Sequence, residues 1–250
     1  MPKKGQVTIL IILGLILFII IILGFFFRSE LVDMFQKSGF VEESVLPNEV
    51  QELKDQIYSC LYDLSNDAVY NLGLTGGYLY ETPLSFLEYD IYAVPYLYDK
   101  GQNNVVDLTV WENDLASYMK ANYQNCVKDY ENFDLSYGNI EPIVVIEDLV
   151  TWDIYWPISV KYNSIEYRIN DFSLNQNIYL FQLHEALNFI IENQIYDNKL
   201  CVSCITDITL DYNLEINFEN LDEGTLFMIT DKNSQVYDED FQFVFASRYA

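Results

Sequence analysis

Basic residues are scarce in this 250-residue chain, which carries 13 Lys and Arg against 38 Asp and Glu, a formal net charge of −25. A nucleic-acid binder working through a general electrostatic footprint needs the opposite balance, so that class is excluded. Histidine is scarcer still: His184 is the only one. Serine, cysteine and metal-dependent hydrolases commonly need a histidine as base or ligand, and no nucleophile motif accompanies this one. Phosphate-binding glycine motifs are missing as well. Gly73, Gly76 and Gly77 form Gly-x-x-Gly-Gly with no helix expected after them, so they read as a helix C-cap and a tight turn. The chain has no Asn-x-Ser/Thr sequon and no internal repeat at a fixed period. Apolar residues, by contrast, make up 51% of it, enough for a sizeable core, which excludes wholesale disorder.

Acidic residues are absent before Glu30, and this absence locates the protein. Val7 to Phe27 is an uncharged apolar run of 21 residues in which Thr8 is the only polar side chain. About 20 helical residues cross a hydrocarbon core of about 30 Å, so the run fits one membrane span. A cleaved secretory signal has a shorter apolar stretch and a small-residue cleavage site after it, whereas this run ends in Phe25-Phe26-Phe27-Arg28. Lys3 and Lys4 precede the span and Arg28 alone follows it, which keeps the short N-terminal side cytoplasmic. Those three bases leave 10 to set against all 38 acids beyond Arg28, a net of −28 on the exported side. The expected organisation is a basic stub over residues 1–6, a transmembrane helix over 7–28, a juxtamembrane connector over 29–47 and an extracellular domain over 48–250.

The opening Lys3-Lys4-Gly5-Gln6-Val7-Thr8, followed at once by the apolar helix, resembles the class III signal of archaeal type IV pilin-like proteins. The resemblance implies cleavage between Gly5 and Gln6, with Gln6 becoming the N-terminus and the helix retained. Removing the charged stub would free the helix to pack into a filament. One position departs from the pattern: many pilins carry Glu five residues into the mature helix, where this chain has Leu10. That departure bears on filament incorporation more than on processing. The resemblance ends with the apolar helix.

Beyond the connector, Pro47 suits a helix start with Asn48 as its cap. Val50, Leu53, Ile57, Cys60, Leu61, Leu64 and Ala68 then recur at three- and four-residue steps up to Gly73. A second helix is expected over Trp111–Tyr130, with Leu115, Met119, Cys126 and Tyr130 on one side. The Tyr-rich piece Tyr78–Tyr98, interrupted by Pro83 and Pro95, reads as a packed loop. After Gly138, strands are expected at Ile143–Ile146, Thr151–Val160 and Ser164–Phe172. A third helix is expected at Ile178–Tyr196, then strands at Ile208–Phe218, Thr225–Thr230 and Phe241–Ala246. The fold class is α+β: two or three helices packed on antiparallel sheet, outside an N-terminal transmembrane helix.

Cys60, Cys126, Cys201 and Cys204 all lie beyond the apolar run, and outside a cell an even set of cysteines forms a disulfide framework. Four cysteines allow three pairings. The helix faces favour Cys60 with Cys126, leaving Cys201 and Cys204 to pair locally at a tight turn. A thiol–disulfide exchange site and a four-cysteine zinc site are the alternatives. The first needs a helix N-terminus, whereas here the motif is expected to follow a helix and precede strands. His184 reads as a partly exposed helix residue. The densest oxygen-ligand cluster, Asp231-Lys232-Asn233-Ser234-Gln235 with Asp238-Glu239-Asp240, lacks the central Gly and final Glu of a calcium loop and reads as a solvated acidic loop. Tyr78, Tyr80, Tyr89, Tyr92, Tyr96 and Tyr98 could form an adhesive surface, but core packing accounts for most of them.

The expectation is a non-enzymatic, single-pass surface protein serving filament assembly or attachment, with no cofactor, resident metal or catalytic residue. Its partners are the lipid bilayer through residues 7–28 and further copies of itself or other surface proteins. Two alternatives stand beside it: a cell-surface receptor for a partner or divalent cation with an uncleaved anchor, and a membrane-tethered thiol oxidoreductase using Cys201 and Cys204.

Overall fold

The computed structural model describes residues 40–41, 46–80, 83–89, 92–127 and 133–250. The expected span at 7–28 and the Gly5–Gln6 junction lie outside the described residues. Among those that are described, no helix is long and apolar enough to cross a membrane. The described chain is α+β, with helices α1 (Asn48–Leu74), α2 (Leu108–Asn122), α3 (Leu180–Asp197) and α4 (Val202–Tyr212). Four helices are therefore described where two or three were expected.

The chain divides into two compact units. The described part of the smaller consists of residues 40–41, 46–51, 133–137 and 158–169. In it, β5 (Asp134–Tyr137) pairs antiparallel with the Ile158–Lys161 part of β7 (Val150–Tyr162). β1 (Phe40–Val41) pairs parallel with Glu166 and Tyr167 of β8 (Ile165–Gln176). Asn163 and Ser164, with φ of 50° and 67°, form the two-residue turn of the β7–β8 hairpin.

The larger unit contains a six-stranded sheet ordered β2 (Phe86–Tyr89), β3 (Tyr92–Asp99), β11 (Glu239–Arg248), β10 (Gly224–Val236) and β9 (Leu214–Leu221), with β4 (Gln102–Asn103) also on β3. Every pairing is antiparallel except β3 with β11, so the sheet is mixed where an antiparallel one was expected. Phe241, Phe243 and Phe245 alternate inward along β11, and Phe227 of β10 stacks on Phe245 with centroids 4.7 Å apart. In the same unit, β6 (Glu141–Ile146) pairs antiparallel with Val150–Tyr155, and Trp152, Ile154 and Trp156 are buried along β7.

The Tyr78–Tyr98 piece is not a packed loop, because β2 and β3 occupy most of it. Pro95 is tolerated opposite Phe86 because the parallel ladder to β11 begins at Tyr96, one residue past the proline. Tyr96 and Tyr98 are buried, giving their hydroxyl protons to the Glu223 carbonyl (2.9 Å) and Asn198 Oδ1 (2.7 Å). Tyr80 and Tyr89 are both exposed.

The stripe that predicts α1 is buried as expected: Leu53, Ile57, Leu61, Leu64 and Ala68 are all inside, with Val69 and Leu72 continuing it. Truncating one such leucine to alanine costs about 2–5 kcal/mol. A Schellman motif ends the helix. The Gly77 amide donates to the Leu72 carbonyl (2.9 Å), the Gly76 amide to that of Gly73 (3.2 Å), and Gly76 is left-handed at φ 59°. A Cβ on Gly77 (φ 87°) would lie 2.5 Å from Trp111 Nε1, whereas Gly101 (φ 95°) has nothing within 4 Å. Gly101→Ala should therefore cost only the left-handed backbone term, about 1–2 kcal/mol. Gly77→Ala should cost clearly more, as read from urea unfolding of the full chain in detergent.

Candidate functional site

The four cysteines form two disulfides, Cys60–Cys126 and Cys201–Cys204, and none is free. Cys60 projects from the middle of α1. Cys126 lies beyond the end of α2, in a 3-10 turn over Tyr123–Cys126, and not on the α-helix extending to Tyr130 that its spacing suggested. The tighter winding after Asn122 places Cys126 in a fully buried position, its Cα 5.6 Å from that of Cys60. This is the pairing that the helix faces favoured.

The second pair overturns an expectation. Cys201-Val202-Ser203-Cys204 does not sit at a tight turn before a strand. It opens α4, which runs from Val202 to Tyr212, and the strand expected at Ile208–Phe218 begins only at Leu214. Val202, Ile205, Thr206, Ile208 and Thr209 are β-branched and favour a strand by propensity. The helix wins because Cys204, Ile205 and Ile208 fall on one helical face and are buried there. Cys201 is the N-cap. Its Sγ accepts the Cys204 amide proton at 3.3 Å, the role usually filled by Ser, Thr, Asn or Asp, and Ser203 Oγ lies 3.5 Å from the same sulfur. Asn198 and Asn213, both left-handed, end α3 and α4.

His184 lies on α3, partly buried, with its ring edge-on to Trp111. Nε2 donates to the Val106 carbonyl at 3.0 Å, and Nδ1 is left to accept the Asn188 amide at 3.2 Å. Both ring nitrogens are therefore engaged in packing. Burial, outweighing the carbonyl bond and the nearby Asp107 and Glu185, holds the imidazole pKa below its ordinary 6.5.

The acidic stretch is a β-bulge and not an open solvated loop. The β10–β11 register jumps between Asp231 and Gln235, and the hairpin closes through left-handed Tyr237 and Asp238. Asp231 is buried, taking hydrogen bonds from the Asn233 amide (2.9 Å) and the Ser234 hydroxyl. Lys232 bridges Glu215 (3.0 Å) and Asp240 (3.2 Å). Among the described residues, no group of three or more His, Cys, Asp or Glu is placed to hold a metal ion. Beside the bulge lies a polar cleft of about 660 Å³, with Asn66 and Tyr237 in its wall. Behind Asn66 is a buried relay in which the Trp152 indole donates to Gln176 Oε1 (2.7 Å) and the Gln176 amide to Asn66 Oδ1 (2.8 Å). The relay satisfies polar groups in the core and holds no nucleophile or base.

Comparison with protein-family models, with curated proteins and with solved structures finds no match.

Loop-closure entropy separates the two disulfides. It favours the bridge of sequence separation 66 by about 4 kcal/mol and the bridge of separation 3 by about 2 kcal/mol. Urea unfolding should therefore show Cys126→Ser losing about twice the stability lost by Cys204→Ser. The histidine contributes a pH response around neutrality. An unfolded chain takes up a proton below pH 6.5 that partly buried His184 resists, so its contribution to stability is full above 6.5 and is lost as the pH drops through the lowered folded pKa. His184→Gln should flatten the decline in urea midpoint between about pH 7 and about pH 5.5.

Proposed function

We propose that the chain is a non-enzymatic, single-pass surface protein, pilin-like at its N-terminus and serving filament assembly or attachment. Residues 7–28 hold it in lipid, the stub 1–6 stays in the cytoplasm, and the acidic α+β part lies outside the cell. The observation that carries this reading is that all four cysteines, every one beyond the apolar run, are paired as disulfides. Such pairs form and persist in oxidising, exported compartments. The apolar segment after Lys3-Lys4-Gly5-Gln6 supplies the anchor and the processing signal, and Lys3 and Lys4 before the run against Arg28 alone just after it agree with positive charge retained inside. The bland partners of His184 and the compact Asp231–Asp240 bulge give no support to hydrolytic chemistry.

Mass spectrometry of the N-terminus of membrane-extracted protein tests the proposal. The expected product begins at Gln6. An intact Met1 or Pro2 would remove the pilin-like reading while leaving the anchor. Recovery in the soluble fraction with all four thiols reduced would remove both.

A further inference from the structure

We propose that Cys201–Cys204 is an exchange-active disulfide that reacts with thiols of a partner polypeptide, a chemical activity added to the anchored role above and independent of it. Three observations converge on this pair. Cys201 sits at the N-cap of an eleven-residue helix, where its sulfur already accepts the Cys204 amide proton and has Ser203 Oγ at 3.5 Å. Those donors and the positive end of the helix favour a sulfur carrying negative charge. Access is also asymmetric: Cys204 is only 9% exposed, while Cys201 is partly open and followed by Val202 at 58% exposure. An incoming thiolate therefore reaches Cys201 Sγ and not Cys204 Sγ.

The third observation is what opening the pair leaves intact. A bridge of sequence separation 3 restrains little chain, and α4 is held independently by buried Ile205 and Ile208. The long-range Cys60–Cys126 bridge is untouched. The pair can thus open and close while the fold persists, as a stoichiometric exchange site must. Exposed Tyr196 and Val202, on either side of Cys201 in the chain, give apolar surface for an extended polypeptide carrying the thiols.

The step balances between the two dithiol–disulfide couples. A substrate thiolate attacks Cys201 Sγ, a substrate–Cys201 bond forms, the Cys201–Cys204 bond breaks, and Cys204 leaves with the electron pair as a thiolate. The substrate's second thiolate then attacks the substrate sulfur of the mixed disulfide, releasing Cys201 as a thiolate. The substrate dithiol is oxidised to a disulfide, the protein pair is reduced, and the two protons released by the substrate are taken up by Cys201 and Cys204. Run backwards, the same steps reduce a substrate disulfide.

The test equilibrates the oxidised full-length chain in detergent against glutathione buffers of stepped ratio, followed by alkylation and peptide mass spectrometry of each cysteine pair. The expected result is that Cys201–Cys204 opens over a range in which Cys60–Cys126 stays closed and the circular dichroism spectrum is unchanged. Opening of the two pairs together, and only as the spectrum collapses, overturns the proposal. In parallel, variants are mixed with a synthetic peptide containing one internal disulfide. Cys204→Ser should accumulate a peptide adduct on Cys201, and Cys201→Ser should accumulate none. Equal trapping by the two variants, or no adduct on Cys204→Ser, overturns it. Both arms read sulfur chemistry, so their failure is distinct from a wrong N-terminus.

Discussion

The larger unit depends on one strand. β11 pairs with β10 on one side and with β3 on the other, and its Phe241, Phe243 and Phe245 supply a buried aromatic row. Its backbone also sets how closely α1 can approach. Gly73 and Gly76 lie so near the carbonyls of Gln242 and Val244 that a Cβ at either would collide with them. The closing residues of β11 then tie in distant chain: Ser247 Oγ donates to buried Gln194 Oε1 (2.8 Å), and Arg248 forks onto Asp99 at 2.7 and 2.8 Å. That guanidinium holds the Asp99 carboxyl below its usual range, with the Ser85 hydroxyl helping and burial opposing. The ten residues of β11 thus fix elements drawn from much of the unit.

The two disulfides divide the remaining labour by sequence separation. Cys60–Cys126 removes a large loop from the unfolded ensemble and ties α1 to the turn that follows α2. Cys201–Cys204 constrains only the first turn of a helix that Ile205 and Ile208 already anchor. A covalent bond that adds little to the ordering of the chain is the one whose reversible opening costs the fold least. This is why the proposed exchange role falls to a different pair from the structural one.

How much of this was legible varies with the local signal. The α1 stripe and the α3 stripe have a clean helical period, and nothing in either segment competes with it, so sequence and structure agree to within a few residues. The glycines after α1 were legible for a related reason, since only a left-handed stop explains them at that spacing. Tyr78–Tyr98 was misread because Pro83 and Pro95 suggested a break, whereas Pro95 sits where its strand does not yet need a second partner. The tight turn expected at Cys201–Cys204 and the strand expected from Ile208 are instead one helix, because tertiary burial of Cys204, Ile205 and Ile208 outweighs the β-branching that argued for the strand. Cys126 fell between the two cases: its pairing was legible, but the change from α to 3-10 winding after Asn122 was not.

Charge bears on the proposed assembly in a way the fold does not. Lys232 and Arg248, two of the few cations beyond Arg28, are already committed to carboxylates, Lys232 to two of them. The acids remain in large excess, so copies brought together in the proposed assembly would repel one another through a field with a range of about 8 Å at physiological ionic strength. Attraction between copies must then come from elsewhere on the chain. The uncharged run Val7–Phe27 is the longest apolar stretch of the sequence and carries no such penalty. If the proposed assembly runs through that segment, the acidic parts need not meet, and a net charge of −28 beyond Arg28 is no obstacle to it. Raising the salt concentration would weaken that repulsion and leave an apolar attraction between the uncharged segments in place.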